Sequence, residues 1–310
     1  MRGRRHPDGA VACNSGVVAD VEARVWSRRR FLGGAISLAA LVGVTAACSR
    51  EPDASSTEAS GTTGTAGATS TADAAGTAGT DAELIGRRYP GLEPFAAPPP
   101  APGVKPVVLS TAHPPVFARV PIADRVVFVT VDDGAEKDPA FIRMVADFRI
   151  PITICLADTL IKDDYAYFSR LHETGFVSIQ NHTLTHPLNM PGLSAAQQLD
   201  EIAGQQEKLR AQYGTIPRIF RPPGGNYDAT TIAAVRDAGL GGVMLWKEAM
   251  QIQDMQYQTP GRHLAPGDII LCHFRGPAQL KGTTMVEMMT NLYRRIQAQG
   301  FTVADLTRYA

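Results

Sequence analysis

From Asp124 to the C-terminus, short apolar runs rich in β-branched residues alternate with segments of helical period, and few folds accept that alternation. Each run suits a buried strand and each intervening segment suits a crossover helix, so the pattern argues for an α/β domain with parallel strands. Strands are expected at Arg125 to Val131 (R-V-V-F-V-T-V), Ile152 to Leu156, Phe176 to Gln180, Arg218 to Phe220, Gly242 to Trp246 and Ile269 to Cys272, with a last short one at Phe301 to Val303. Helices announce themselves by their ends. Asp138-Pro139 reads as an N-cap followed by proline at the first helical position, opening a helix to about Phe148. Asp163/Asp164 open a second that closes at Gly175, Ser194 with Gln197 resembles a capping box for a third reaching Gly214, and Asp228 caps a fourth closing at Gly239. A long helix from about Thr283 stops at Gly300, with Met285, Met288, Met289 and Leu292 as its core stripe.

The polar residues are not scattered over this frame. Asp132-Asp133, His182, Arg221 and His273 each fall just past the C-terminal end of an expected strand, the end where α/β barrels build their sites. In T-V-D-D-G at 130–134 two adjacent carboxylates end a strand, and neighbours on a strand point opposite ways, so the two acids serve different partners. Asp-Asp-Gly is also ordinary turn chemistry. His182-Thr-Leu-Thr-His186 spaces two imidazoles four residues apart; a single helical turn would bring them onto one face, although Pro187 disfavours helical geometry at His186. With Asp133 they form a His-His-Asp set with open positions, suited to a catalytic ion. Arg221-Pro-Pro-Gly-Gly225 supplies a fixed cation that can pair with Asp132, and a rigid turn whose N–H groups can face an oxyanion. Alone, each of these pieces has a structural reading as good as the functional one. His113, His172 and His263 are read as structural or solvated, and Cys155 and Cys272, each inside an apolar run, as core residues.

Together the motifs resemble the polysaccharide deacetylases with the NodB-homology domain, carbohydrate esterase family four, over about 185 residues from Asp124. T-V-D-D-G matches the first motif, T-F-D-D-G, and His182 to His186 match the second, H-[ST]-x-x-H. Arg221, Pro223 and Gly225 meet R-x-P-Y-G, and Leu271 with His273 meet L-x-H. The resemblance implies a distorted (β/α) barrel in a single catalytic domain at 124–310. It also implies a divalent metal, usually zinc, with cobalt or another ion as an alternative, on Asp133, His182 and His186. By the same resemblance Asp132 is the general base toward the attacking water, and His273 the general acid toward the departing sugar amine. Arg221 orients the base, while Pro223, Gly224, Gly225, Trp246 and Leu271 belong to the oxyanion turn or the pocket. Three departures stand out: Gly224 replaces the usual Tyr, Met255 follows Asp254 where a Trp is expected, and Phe274-Arg275 follow His273 in place of the frequent acid. Either Glu248 or Asp254 is expected to support His273.

The N-terminal part has a different composition. Through Cys48 there are seven arginines against three acids, which leaves 23 basic and 27 acidic residues for the remainder. A slightly acidic body without a cationic stripe excludes nucleic acid as an expected partner. Ser27 to Leu32 read S-R-R-R-F-L before an apolar stretch from Phe31 to Ala47, resembling a twin-arginine export signal. Thr45-Ala46-Ala47-Cys48 resembles a lipoprotein processing site, departing from it at Thr45. Residues 1–48 are therefore expected to be an export signal read by the twin-arginine machinery, with membrane association only through that leader or a lipid on Cys48. Residues 49–82, nearly all Ala, Gly, Ser and Thr, are expected to be a flexible linker, and 83–123 a Pro-rich lead-in running extended over the domain surface. The leading expectation is removal of N-acetyl groups from an extracytoplasmic GlcNAc-containing carbohydrate polymer such as peptidoglycan. The alternatives are a tethered glycan-binding pseudoenzyme and an O-acetyl esterase acting on acetylated xylan.

Overall fold

The computed structural model describes residues 82–310. The leader, Cys48 and nearly all of the linker lie outside the described residues. Strand β2 (Val126–Asp133) is central, flanked in parallel by β3 (Ile152–Leu156) and β9 (Ile269–His273). From β3 the sheet continues through β4 (Val177–Asn181), β5 (Ile219–Phe220) and β6 (Gly242–Met244) to β1 (Val116–Phe117), all parallel. From β9 it continues to β7 (Glu248–Met250) and its antiparallel partner β8 (Met255–Tyr257), while β10 (Thr302–Val303) adds to the start of β2. Since β6 and β7 are consecutive pieces of chain, the two flanks are joined through residues 245–247, and the sheet curls into a distorted barrel.

Alternation along the strands sorts the core into two layers. Val127, Val129 and Val131 face outward onto helix α1 (Pro139–Phe148) and the C-terminal helix, whereas Val126 and Phe128 face inward with Cys155, Trp246, Leu271 and Tyr309. The helices obey their end signals. Asp138 accepts from the Ala140 N–H at 2.8 Å ahead of α1. After α2 (Asp158–Ile161), Asp164 caps α3 (Tyr165–Glu173), and reciprocal capping boxes open α4 (Ala195–Tyr213), α5 (Ala229–Asp237) and α6 (Met285–Ala298). Such a cap contributes about 1 kcal/mol. Met285, Met288, Met289 and Leu292 are all buried, as are the free thiols of Cys155 and Cys272.

Three local expectations need correction. The lead-in does not simply run over the surface: residues 82–88 are helical, Ile85, Tyr89 and Leu92 enter the outer core, and Val116–Phe117 is a strand. Its apolar residues find partners, and an Arg88–Asp147 ion pair at 2.7 Å with a Tyr89 hydroxyl donating to Asp147 at 2.9 Å holds the segment down. The strand expected to reach Trp246 breaks after Met244, because the chain passes from β1 to β9: Leu245 N–H bonds Phe117 O at 2.7 Å and Lys247 N–H bonds Ile269 O at 2.9 Å. Finally, no helix forms over His182 to His186; these residues are a loop.

Candidate active site

Sheet register brings the polar residues to one end. Asp132 and His273 are lateral partners on β2 and β9, both on the inner face, and Cys155 stands beside Asp132 on β3. His182 and Arg221 each follow the last residue of a strand, β4 and β5. Asp132, His182, Arg221 and His273 are all buried, a concentration of polar groups that only mutual pairing makes tolerable.

Local hydrogen bonds replace the missing helical turn around the histidines. Asn181 Oδ1 accepts from Thr183 N–H at 3.1 Å, Thr183 Oγ1 accepts from His186 N–H at 3.1 Å, and the Glu201 carboxylate accepts from Thr185 N–H and Oγ1–H at 2.8 and 2.6 Å. Thr183 (φ 72°) and His186 (φ 59°) adopt left-handed backbone, as does Asp133 (φ 81°). Non-glycine residues hold that conformation only where their surroundings enforce it, and such strain clusters at functional sites.

The result is a convergence of three ligand atoms. One donor atom each from Asp133, His182 and His186 lies within 4.8 Å of the others. Asp133 Oδ1 is 3.4 Å from His182 Nε2 and 3.1 Å from His186 Nε2. His182 Nδ1 is 2.7 Å from the Arg221 carbonyl oxygen, to which it donates; this orients the ring with Nε2 toward Asp133. Burial alone would raise the Asp133 pKa, but the His182 and His186 imidazoles beside it, helped by His273, hold it well below the usual carboxylate range. Two neutral-nitrogen donors and one carboxylate oxygen suit a divalent ion such as zinc. The donor set therefore fits the metal that the motifs imply.

Asp132 faces a different partner. Arg221 Nη1 donates to its Oδ2 at 3.0 Å, and Arg221 Nη2 donates to Thr130 Oγ1 at 3.1 Å, while that hydroxyl donates to Ile270 O at 2.9 Å. Thr130 escaped the sequence reading, yet it is signalled by position, two residues before Asp132 and so on the same face. Burial, and then the Asp132 charge, push the Cys155 thiol well above its ordinary pKa, so Cys155 is a neutral neighbour. Pro223–Gly225 forms a single 3-10 turn with Gly224 (φ 62°) and Gly225 (φ 72°) left-handed. Trp246 is buried against Arg221, and Leu271 lies in the inner core one alternation below His273.

The support expected for His273 is not where the sequence placed it. Glu248 pairs in register with Ile270, sharing its outward face, whereas Leu271 and His273 point inward. The alternation slips between Trp246 and Ala249, both of which face inward, so Glu248 does not share the face of Trp246 as it would on a regular strand. Asp254 is exposed and paired with Arg262 and Arg295, each at 2.9 Å.

A curled parallel sheet with these groups at one end defines a distorted barrel of the NodB-homology class, a fold of carbohydrate-directed hydrolases. The family model described as polysaccharide deacetylase matches residues 119–243. The chain is 40% identical over 197 residues to an uncharacterised protein of Streptomyces coelicolor, covering 63% of this chain and 77% of the relative. It is 24% identical over 207 residues to a peptidoglycan-N-acetylglucosamine deacetylase of Bacillus cereus, covering 62% and 92%. A solved family-four carbohydrate esterase pseudoenzyme from Bacillus anthracis superposes with a TM-score of 0.53 at 19% identity, covering 63% of this chain and 69% of that one. This chain belongs to the polysaccharide deacetylase family, whose members act on carbohydrate polymers and are generally metal-dependent.

Proposed function

We propose that this chain is a metal-dependent deacetylase that removes N-acetyl groups from an extracytoplasmic glycan containing GlcNAc, with peptidoglycan as the preferred class. One observation carries the reading: two sets of groups, linked through His182, share the end of one sheet. Asp133, His182 and His186 converge as a ligand cluster, while Asp132, held by Arg221, stands beside His273.

The ligand cluster would hold a divalent ion, zinc by preference, which when bound supplies Lewis-acid polarisation of the acetyl carbonyl and acidifies water. Asp132 takes a proton from the attacking water as its oxygen bonds to the acetyl carbon. Arg221 orients that carboxylate through its hydrogen bond to Oδ2. His273 delivers a proton to the amide nitrogen as the C–N bond breaks, so acetate and a free sugar amine leave. In the Pro223–Gly225 turn the Gly224 N–H is the candidate donor to the developing oxyanion, since Pro223 has none and the Gly225 N–H donates to Pro222 O at 3.0 Å. The twin-arginine leader, with or without a lipid on Cys48, would deliver the domain to the cell envelope or beyond.

A binding role without turnover is favoured by Gly224 and Met255, which remove two side chains of the family's usual pocket. Acetate release from N-acetylated chito-oligomers and peptidoglycan, measured with Zn²⁺ or Co²⁺ and with chelator, tests the proposal. Folded, metal-loaded protein that binds glycan and releases no acetate would establish the binding role; release confined to acetylated xylan would make the chain an O-acetyl esterase.

A further inference from the structure

The ring of Trp246 lies against two parts that the proposed reaction needs. Arg221 Cζ lies over the indole at 5.3 Å from the ring centroid. A Cβ built on Gly225 would sit 2.9 Å from Trp246 Cη2 and 3.3 Å from Cζ3, at the rim of the six-membered ring. Real Cβ atoms do not approach so closely, so the ring occupies the volume that a side chain at 225 would fill. The indole is itself only 6% exposed, within the inner core cluster that also holds Met244, Ala249 and Leu271. Gly225 is also left-handed (φ 72°), and it ends the turn that begins at Pro223. Arg221 bridges Asp132 and Thr130.

We propose that Trp246 is a positioning residue that couples the Arg221-held carboxylate of Asp132 to the Pro223–Gly225 turn. Its face fixes the plane of the guanidinium, whose two nitrogens must meet Asp132 and Thr130 together. Its edge fixes the height of the turn, which must stay glycine at 225. The inference rests on the hydrolytic reading of the site, and its mechanical content can be read without turnover.

The chain contains two tryptophans, Trp26 and Trp246, so in full-length W26F protein the indole emission comes from position 246 alone. In that background G225A and R221K are each expected to shift the emission, because the first displaces the ring edge and the second replaces a planar cation with a point charge. An exposed substitution on α4 such as K208A should leave it where it was. In the acetate assay, W246L is expected to lower kcat by about 10- to 100-fold, the scale on which a misplacement of about 1 Å acts, with KM changed less than about threefold and Zn²⁺ affinity retained. W246F, which keeps an aromatic face, should restore kcat to within about threefold of wild type. Unshifted emission in both G225A and R221K, or a W246L protein as active as wild type, overturns the coupling. If wild type releases no acetate while G225A and R221K both shift the emission, the coupling stands and the deacetylase reading falls.

Discussion

Arg221 Nη1 donates to Asp132 Oδ2 at 3.0 Å, with the guanidinium wholly buried and the carboxylate nearly so. A buried pair of this kind is costly to break from one side. Replacing Arg221 by Met leaves an uncompensated carboxylate and is expected to cost about 3–5 kcal/mol of stability. Asp132→Asn keeps the shape and an accepting amide oxygen but leaves the buried guanidinium without its counter-charge, so it should also lower stability, though less than Arg221→Met, while acetate release should fall by about 10²- to 10⁴-fold because no proton acceptor remains. Melting temperature and turnover measured together on the two variants check the assignment; an Asp132→Asn protein of near wild-type activity would remove Asp132 from the proton-transfer role.

The ligand cluster makes a separate prediction. Because Asp133 Oδ1 stands between His182 Nε2 and His186 Nε2, His186→Ala should weaken zinc binding by orders of magnitude without disturbing the Arg221–Asp132 pair. Chelator should abolish acetate release, and added Zn²⁺ or Co²⁺ should restore it. Protons compete with the ion for the imidazole nitrogens, so zinc affinity measured by calorimetry should weaken as pH falls. Zinc affinity equal in wild type and His186→Ala would show that these atoms do not form the site.

Much of this arrangement was legible in the sequence because it rests on local rules. The Ser194–Gln197 and Asp138–Pro139 signals act through hydrogen bonds within a few residues, and the apolar runs of β2, β3 and β9 are buried on both faces. The site motifs were legible because each stands at the C-terminal end of a strand, β2, β4, β5 or β9. What escaped depends on distant partners. Strands β7 and β8 are three residues each and interleave polar with apolar side chains, so only pairing with β9 reveals them. The face of Glu248 depends on a slip at 247–248 that no periodicity announces. The His182–His186 spacing fits a helical turn, but Asn181 and Glu201 bond the intervening backbone and stabilise a loop instead.

Glu248 carries a pH dependence of its own. Burial, and then the charge of the adjacent buried Asp268, push its carboxyl up to about 9, with Arg119 and Lys247 opposing. Arg119 is ion-paired with Asp268, which also accepts from the Ala265 N–H at 2.7 Å, so this cluster ties the lead-in to the barrel. Between the ordinary value near 4.5 and about 9 the folded state keeps a proton that the unfolded chain has lost. Stability therefore falls as pH rises through that window, by at most about 1.4 kcal/mol per pH unit for one proton, and levels off above it. Glu248→Gln removes the ionisable group while keeping the shape. Its stability relative to wild type should grow from pH 5 to pH 9 in urea unfolding; a constant difference across that range would show that Glu248 does not hold the proton.

His273 should reveal its role through the leaving group. An amide expels a basic amine, which must be protonated as the C–N bond breaks, whereas an aryl acetate expels a phenolate stable enough to leave without help. His273 is the inward-facing neighbour of Asp132 across the β2–β9 ladder, so the two groups can serve opposite proton demands within one site. His273→Ala is therefore expected to lose about 10²-fold or more on N-acetylated chito-oligomers and less than about 10-fold on an aryl acetate, with zinc affinity unchanged. Comparable losses on both substrates would point instead to a role in binding or in stabilising the tetrahedral intermediate. Asp132→Asn should impair both substrates alike, because each needs water deprotonated, and the contrast between the two variants separates base from acid within one pair of assays.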